Sequence, residues 1–337
     1  MTPLYHVYGV GHALVDMELE VGDAFLQRMR LEKGSMTLVD APRQEELLAA
    51  LSAIPARRSC GGSAANTMIA MAQLGGRAFH SCQVAADEAG RFFAQDLRAN
   101  GVDNLLGAVA PEGDAGVTGR CLVFITPDAE RTMCTHLGVS ERITPAALVP
   151  DRLAAAACLY VEGYLISAPT ALATALEAVA LARKAGARVA VTFSDVSMVR
   201  YFRSGLEALV AGGVDLIFCN ENEAREFTGS DDVDDALRRL RGLSRAVVVT
   251  RGRHGALVDD GAGLIRVPGQ AVQPVDTNGA GDLFAGAYLY GITHGMGAAM
   301  AAHLACRAAA VLVTRFGARL EADQTRAVLH AFRQDSA

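Results

Sequence analysis

Apolar residues in the second half of the chain form short runs of strand length, separated by longer segments with helical periodicity. From residue 157 onward the pattern predicts strands at 158–161, 187–192, 214–219 and 246–250, and helices at 171–185, 199–209 and 232–243. Strands that alternate with helices favour a mostly parallel sheet that is covered on both faces. We therefore expect an α/β fold.

The first half and the C-terminus follow the same pattern. They add strands at 7–11 and 78–84, helices at 44–54 and 88–100, an Ala-rich helix at 296–313 and a last helix at 322–332. His303 and Arg307 interrupt the apolar run of the Ala-rich helix, so we expect it to be buried and not to span a membrane.

Two stretches depart from this alternation. Residues 17–39 show two-residue alternation around a Gly34-Ser35 turn, which predicts strand, turn and strand. Residues 119–126 and 131–137 flank Pro127-Asp128 and predict a hairpin. We expect the two excursions to pair into a small sheet over the main one.

Composition and charge narrow the class of protein. The 337 residues are 51% apolar and 20% charged, which suits one large α/β domain over residues 1–337. The net charge of -6 argues against a nucleic-acid binder. The seven cysteines are scattered, with no Cys-x-x-Cys pair, and are expected to be reduced thiols. No charged-then-apolar leader is visible, so we expect a cytoplasmic protein without membrane partners.

The most informative stretch is the run from Asp276 to Asp282, which leads into an apolar segment of helical length. Gly279, Ala280 and Gly281 would present backbone amides at a helix N-terminus, where an anion binds. Asp282 could cap this helix and accept a proton while the amides stabilise negative charge. A Gly-rich loop that ends in an ordinary N-cap Asp is the alternative, and on this stretch alone it is favoured.

Earlier in the chain, Gly61 and Gly62 precede a run of small residues, with Asn66 one turn inside the expected helix. Amides and a carboxamide in this arrangement suit the hydroxyls of a sugar, although Asn66 could also bond locally. Asp16 lies just beyond the first strand, where ligands gather in parallel sheets, and its alternative is a turn-forming Asp.

Polar groups also follow two later strands. Asn220 and Glu223 suit a Mg²⁺ ion held through water, or an ordinary helix start. Thr250, Gly252 and Gly255 form a Gly-punctuated turn that suits nucleotide phosphates, or a plain hairpin turn. Arg131 on the predicted hairpin is a candidate for charge recognition, although exposed arginines there are usually only solvated.

Together, and in this order, these motifs resemble the ribokinase-like family, also called the PfkB carbohydrate kinases, over essentially the whole chain. The two Gly-rich runs, 61–66 and 276–282, look like its two signature regions. The resemblance implies a three-layer α/β/α core with a mostly parallel sheet and a small β-sheet lid, formed here by about 12–40 and 115–140. It also implies an ATP- and Mg²⁺-dependent kinase that acts on a small molecule as a monomer or homodimer.

The resemblance further implies residue roles. Asp282 would be the catalytic base, and the amides of Gly279, Ala280 and Gly281 the anion hole. Asp16, Gly62 and Asn66 would hold sugar hydroxyls, and Mg²⁺ would lie near Asn220 and Glu223. Asn278 would join the ATP site. Many members bind a monovalent cation beside the anion hole, which points to K⁺ near Asp276, Asn278, Val313 and Gly317.

Within the family, the hairpin and the run Thr192 to Asp195 look most like bacterial adenosine kinases. This implies Met133 and Leu137 against a flat base, and Arg131 near the transferred phosphate. His12 departs from the pattern, since adenosine kinases usually have Asn there. Alternatives are therefore a kinase for ribose or a related sugar, an inosine or guanosine kinase, and a non-catalytic nucleoside-binding protein.

Overall fold

The structure, a computed structural model, describes residues 3–52, 54–106, 116–128 and 130–335. Within these ranges the strands are β1 (Val7–Val10), β2 (Leu14–Glu20), β3 (Met36–Leu38), β4 (Arg57–Gly61), β5 (Ala78–Ser81), β6 (Val102–Asp103), β7 (Thr118–Ile125), β8 (Arg131–Gly138), β9 (Cys158–Val161), β10 (Arg188–Thr192), β11 (Leu216–Asn220), β12 (Val247–Thr250), β13 (Ala256–Asp259) and β14 (Leu264–Val267).

The α-helices of the described residues follow the same order. They are α1 (Asp23–Arg28), α2 (Ala41–Ala50), α3 (Ser63–Gln73), α4 (Glu88–Ala99), α5 (Pro150–Ala154), α6 (Pro169–Ala185), α7 (Val196–Tyr201), α8 (Arg203–Val210), α9 (Glu221–Thr228), α10 (Val233–Arg241), α11 (Ala280–Thr293), α12 (Ala298–Leu312) and α13 (Ala322–Asp335).

A large sheet forms the middle layer. Its strand order is β14-β13-β12-β11-β10-β9-β1-β5-β6, and neighbours from β12 to β6 are parallel. Strands such as β9 and β12 are apolar at successive positions because both faces are covered. The predicted mostly parallel α/β fold is thus confirmed. The antiparallel strands β13 and β14 at one edge were not predicted.

Two hydrophobic cores lie on opposite faces of this sheet. One packs α3, α11 and α12 against it, and the other packs α6, α8 and α10. The Ala-rich helix α12 is buried along one side, as expected. No helix in the described part of the chain combines the length and the apolar character needed to cross a bilayer. The seven cysteines are buried thiols, and none of these described residues forms a disulfide.

A second, smaller sheet has the order β3-β8-β7-β2-β4. Both predicted excursions contribute to it, and β7 and β8 form the predicted antiparallel hairpin. The prediction for 17–39 is wrong in part, because α1 lies between β2 and β3, with Phe25 and Leu26 buried in the core of this sheet. Residues 115 and 129 of the predicted lid lie outside the described ranges.

Other boundaries differ for local reasons. The predicted helix 199–209 is two helices, α7 and α8, that meet at Phe202. Helix α2 begins earlier than predicted, because the Asp40 side chain accepts a hydrogen bond from the Arg43 amide and caps it. Residue 53, near its predicted end, lies outside the described ranges. Strand β4 was not predicted, since its sequence is mostly polar.

Candidate active site

A cavity of about 600 Å³ is lined by residues of both sheets and of the segments that follow the strands of the large sheet. Ligands of parallel α/β sheets bind beyond the carboxyl ends of the strands. The sequence-predicted residues that line the cavity are His12, Asp16, Gly62, Asn66, Met133, Leu137, Asn220, Glu223, Thr250, Asn278, Gly279, Gly281 and Asp282. The predicted residues Gly61, Ala280, Arg131, Gly252, Gly255, Asp276, Val313 and Gly317 are not among the described residues that line it.

The N-terminus of α11 opens onto this cavity. Gly279 occupies the N-cap position in a left-handed conformation (φ 71°), and a Cβ there would lie 2.1 Å from the Ala318 carbonyl oxygen. Only glycine fits such a site. The Ala280 amide donates to the Thr277 carbonyl (3.3 Å), and the Leu283 amide donates to Gly279. The amides of the first turn between them lack intrahelical acceptors by helix geometry.

Asp282 lies in the first turn of α11 and does not cap the helix, so the predicted capping role is wrong. Its carboxylate instead faces α3, where it accepts hydrogen bonds from the Ser63 hydroxyl (2.6 Å) and the Asn66 amide nitrogen (3.4 Å). Burial raises the pKa of Asp282 to about 6, and the two hydrogen bonds oppose this rise. A carboxyl group with this pKa is ionised near neutrality and can accept a proton.

Asp16 lies within strand β2, opposite Ser59 of the neighbouring strand β4, and its carboxylate lies against Gly61 of the same strand. A Cβ on Gly61 would lie 2.3 Å from the Asp16 Oδ2 atom, so glycine is needed for the carboxylate to occupy this place. Gly61 therefore supports the cavity wall without lining it. Burial raises the pKa of Asp16 to about 7, and the Arg319 guanidinium opposes this rise. Asp16 is not in a turn, which removes the alternative interpretation.

His12 and Glu162 form a buried pair at the ends of β1 and β9. The Glu162 carboxylate accepts hydrogen bonds from the Ala64 amide (2.8 Å) and the His12 amide (3.4 Å), and lies 3.7 Å from His12 Nδ1. Burial raises the pKa of Glu162 to about 8 and lowers that of His12 to about 4. The Nε2 atom of His12 has no hydrogen-bond partner among the described residues, and His12 lines the cavity, so this atom is available to a ligand.

Ser63 and Glu162 also line the cavity and were not predicted from the sequence. A serine after two glycines carries no distinctive signal, because small polar residues are common at helix starts. Glu162, however, follows the predicted strand 158–161 directly, and a carboxylate at that position is the same signal that singled out Asp16. It could have been identified from the sequence.

Asn220 and Glu223 form a capping box at the start of α9. The Asn220 side chain accepts from the Glu223 amide (2.8 Å), and Glu223 accepts from the Asn220 amide (3.0 Å). The helix-start interpretation therefore holds for both residues. Both still line the cavity, and burial raises the pKa of Glu223 to about 7. A carboxylate on the wall suits a hydrated Mg²⁺ that is also bound by substrate phosphates.

Of the three residues predicted to bind ATP at the end of β12 and in the turn after it, one lines the cavity and two do not. Thr250 faces the cavity. Gly252 starts the short 3₁₀ segment Gly252–His254, and a Cβ on Gly255 would lie 2.0 Å from the Val267 carbonyl oxygen. These two glycines shape the turn from β12 into the antiparallel strand β13.

Arg131 is not the solvated arginine of a hairpin. It begins β8, its side chain is only 9% exposed, and its Nη2 atom lies 2.9 Å from Asp276 Oδ2 and 3.5 Å from Glu18 Oε1. Its Nε and Nη1 atoms are buried and have no hydrogen-bond partner among the described residues. The ion pair with Asp276 joins the small sheet to the loop that precedes α11.

Two of the predicted K⁺ ligands, the Asp276 carboxylate and the Val313 carbonyl oxygen, are engaged by hydrogen bonds in this structure. Asp276 Oδ1 accepts from the Asn278 amide (3.0 Å), and Oδ2 accepts from the Gly317 amide (2.9 Å) and forms an ion pair with Arg131. The Val313 carbonyl oxygen accepts two amides, from Val275 (2.6 Å) and Asp276 (3.1 Å). The two oxygens of Asp276 and the carbonyl oxygen of Val313 thus already accept hydrogen bonds from backbone amides.

The small sheet gives the cavity an apolar wall. Met133 and Leu137 of β8 line the cavity with Met36 and Leu38 of β3 and Val123 of β7. Met36 and Leu38 are 49% and 60% exposed, so much of their apolar surface is uncovered in this structure. A flat apolar ligand surface would cover it.

Comparisons with known proteins identify the family of this chain. The family described as "pfkB family carbohydrate kinase" matches residues 53–325. The structure of adenosine kinase from Sinorhizobium meliloti is similar over 98% of this chain and 99% of the other, with 35% identity and a TM-score of 0.85. A Rhizobium etli protein described as a probable sugar kinase is similar over the same shares, with 35% identity and a TM-score of 0.86.

A plant relative is similar over a shorter stretch. Fructokinase-1 of Oryza sativa subsp. japonica is 32% identical over 241 residues, which cover 68% of this chain and 72% of that protein. The family match spans far more than half of the residues and includes both Gly-rich runs that form the cavity. The chain belongs to the pfkB family of carbohydrate kinases, and it is a kinase for a small-molecule substrate.

Proposed function

We propose that this kinase transfers the γ-phosphate of ATP to the 5'-hydroxyl of a nucleoside, with adenosine as the first candidate. One observation carries the proposal: the cavity combines the Asp282 carboxylate at the N-terminus of α11 with polar groups on one side and an apolar wall on the other. The polar groups suit a ribose, and the apolar wall suits a base.

Asp282 is the proposed general base. Its carboxylate removes the proton of the attacking hydroxyl, while the free amides at the start of α11 stabilise the charge of the transferring phosphoryl group. The hydrogen bond from Ser63 holds the carboxylate in one orientation. Ser63 and Asn66 also keep its pKa from rising further, so the base is ionised at neutral pH.

The other end of the cavity is proposed to hold ATP. Thr250 and Asn278 would contact the nucleotide, and Asn220 and Glu223 would hold Mg²⁺ through water. When bound, Mg²⁺ would neutralise charge on the phosphates of ATP. Arg131 is not among the described residues that line the cavity, so we propose that its guanidinium acts through the ion pair with Asp276 and not on a phosphate oxygen.

The choice of acceptor rests on the two walls of the cavity. Asp16 and Asn66 would bind ribose hydroxyls, and Met133, Leu137 and Met36 would cover a flat base. The 35% identity to an adenosine kinase over nearly the whole chain supports this choice. A sugar kinase is the second candidate, because His12 offers an unpartnered polar atom where a further hydroxyl could bind, and relatives include a fructokinase.

A substrate panel tests the proposal. ADP formation would be measured with ATP and Mg²⁺ for adenosine, inosine, guanosine, cytidine, ribose and fructose, with ATP alone as the blank. We expect adenosine to have the highest kcat/KM and each free sugar to be at least tenfold lower. A higher kcat/KM for ribose or fructose than for every nucleoside would overturn the nucleoside assignment and support the sugar kinase.

A further inference from the structure

We propose that the Arg131 guanidinium takes the place of a monovalent cation beside the phosphate site, so that phosphoryl transfer by this chain needs no K⁺. The inference rests on the proposed anion site at Gly279 to Asp282. It makes Arg131 a positioning residue that acts through Asp276, in place of a direct contact with substrate.

Asp276 is a buried carboxylate that already has two hydrogen-bond donors and a compensating charge. Its side chain is 6% exposed, its oxygens accept hydrogen bonds from the amides of Asn278 and Gly317, and Oδ2 forms an ion pair with the Arg131 guanidinium. A buried carboxylate needs a compensating charge, and Arg131 supplies it. A K⁺ ion at the same carboxylate would lie close to the guanidinium, where like charges repel.

The backbone beside Asp276 is also engaged by hydrogen bonds. The Val313 carbonyl oxygen accepts hydrogen bonds from the amides of Val275 (2.6 Å) and Asp276 (3.1 Å), so both of its lone pairs are engaged. A weakly charged ion such as K⁺ needs several oxygens whose lone pairs are free. The loop here is instead held by hydrogen bonds and by one guanidinium.

The position of Arg131 in the fold gives this arrangement a consequence. Arg131 belongs to β8 of the small sheet, whereas Asp276 begins the run that shapes the N-terminus of α11. The positive charge beside Asp276 is therefore supplied by a side chain of the small sheet, and not by an ion from solution. Contact between the two parts both covers the cavity and completes the charge balance of the loop beneath the phosphate site.

Cation dependence tests the inference. Turnover of the wild type would be measured in potassium chloride and in choline chloride at equal ionic strength, with the best substrate of the panel. We expect less than a twofold difference. A loss of more than tenfold in choline chloride would overturn the inference.

The variant Arg131→Ala provides the second half of the test. We expect it to be at least tenfold less active than the wild type in choline chloride, and to recover severalfold when K⁺ or guanidinium chloride at low millimolar concentration is added. Arg131→Lys should retain more activity than Arg131→Ala. Lys33→Met is the control, because Lys33 makes ion pairs with Asp23 (2.7 Å) and Asp128 (2.6 Å), in segments that connect strands of the same small sheet, and its recorded ion pairs do not include Asp276. It should show no cation dependence.

Thermal unfolding supplies a readout that does not depend on the substrate. K⁺ should raise the unfolding midpoint of Arg131→Ala relative to choline and leave that of the wild type unchanged. If no panel compound is phosphorylated, the proposed substrate class fails while this measurement still decides on the cation. Equal midpoints of Arg131→Ala in both salts, together with no rescue of activity, would show that Arg131 does not replace a cation.

Discussion

The Ser63 hydroxyl donates a 2.6 Å hydrogen bond to the Asp282 carboxylate, and so joins the first residue of α3 to the first turn of α11. The two helices pack tightly behind this contact, where a Cβ on Gly286 would lie 2.6 Å from the Thr67 carbonyl oxygen. Both helices thus begin at the cavity with their N-termini close together. Two helix N-termini create a positive potential that favours an ionised Asp282 and a bound phosphate.

Replacing the proposed base should remove turnover but not binding. We expect Asp282→Asn to lower kcat by about 10²–10⁴-fold, the range for a general base, because Asn keeps the shape but cannot accept the hydroxyl proton. Steady-state kinetics and substrate titration of the variant would measure kcat and Kd separately. Asp323→Asn is the control, since Asp323 also lies in the first turn of a helix, α13, but is exposed. A near-normal kcat for Asp282→Asn would rule out Asp282 as the base.

Removing the serine partner should change the pH dependence. The Ser63 hydrogen bond lowers the pKa of Asp282 against the effect of burial, so Ser63→Ala should raise that pKa. Hydrogen bonds to charged groups contribute about 1.5–3 kcal/mol, which corresponds to roughly one pH unit or more. Because the base must be ionised, the acid limb of the kcat profile should move to higher pH.

A pH profile of kcat between pH 5 and 9 would measure this displacement. Ser230→Ala serves as the control, because Ser230 bonds to the Asp232 carbonyl oxygen outside the cavity. An acid limb at the same pH in Ser63→Ala and in the wild type would mean that Ser63 does not set the pKa of Asp282.

The fold could be predicted from the sequence wherever local patterns dominate. Strands buried on both faces, such as β9 and β12, are almost entirely apolar, and the helices between them have apolar residues at helical spacing. Strand β4 escaped prediction because its residues are mostly polar and it is defined by pairing with β2. Helix α1 was not predicted because its two buried residues, Phe25 and Leu26, are too few to produce an apolar pattern with helical periodicity.

The site was predictable where a short motif contains it, as for Asp282 and Asn66. Contacts between segments that are distant in the sequence could not be predicted from such motifs. The partner of Arg131 is Asp276, and the sequence contains no sign that a hairpin residue reaches this loop. Similarly, the hydrogen bonds that occupy the predicted K⁺ ligands depend on how the segment around Val313 packs beneath the loop.

Crowding at Gly61 should have a specific effect on substrate binding. In Gly61→Ala the new Cβ would lie 2.3 Å from Asp16 Oδ2, so the carboxylate must move. If Asp16 binds the ribose hydroxyls, we expect KM for the nucleoside to rise about tenfold or more, with a smaller change in KM for ATP. Loss of one hydrogen bond to a charged group justifies this magnitude.

Gly297→Ala is the matched glycine control. A Cβ there would meet none of the described residues within 4 Å, and Gly297 caps α12 with an ordinary negative φ. Initial-rate kinetics with each substrate varied in turn would separate the two KM values. An equal rise in both would indicate a general distortion and would contradict the role of Asp16.

Glu162 should make the unliganded protein less stable as the pH rises. Burial raises its pKa to about 8 from the ordinary value of 4.5, so the folded protein keeps a proton that the unfolded chain has released. Stability contributed by the protonated group is complete below about pH 4.5 and is lost as the pH rises through 8. The effect of His12 has the opposite sign. Its pKa is lowered to about 4, so stability rises with pH between about 4 and 6.5, and His12 adds no further pH dependence above about pH 6.5.

Asp16 and Glu223, with pKa values of about 7, also titrate between pH 6.5 and 8.5, so a comparison with Glu162→Gln is needed to isolate Glu162. Over this interval the free energy of unfolding of the wild type should fall relative to that of Glu162→Gln by roughly 1–2 kcal/mol, since one unit of pKa corresponds to about 1.4 kcal/mol. Denaturant titrations at four pH values would measure the difference. Glu177→Gln, which changes an exposed glutamate of α6, controls for the substitution itself. A parallel pH dependence of the wild type and Glu162→Gln would mean that Glu162 is ionised in the folded protein throughout, with the charged form held by the amides of Ala64 and His12.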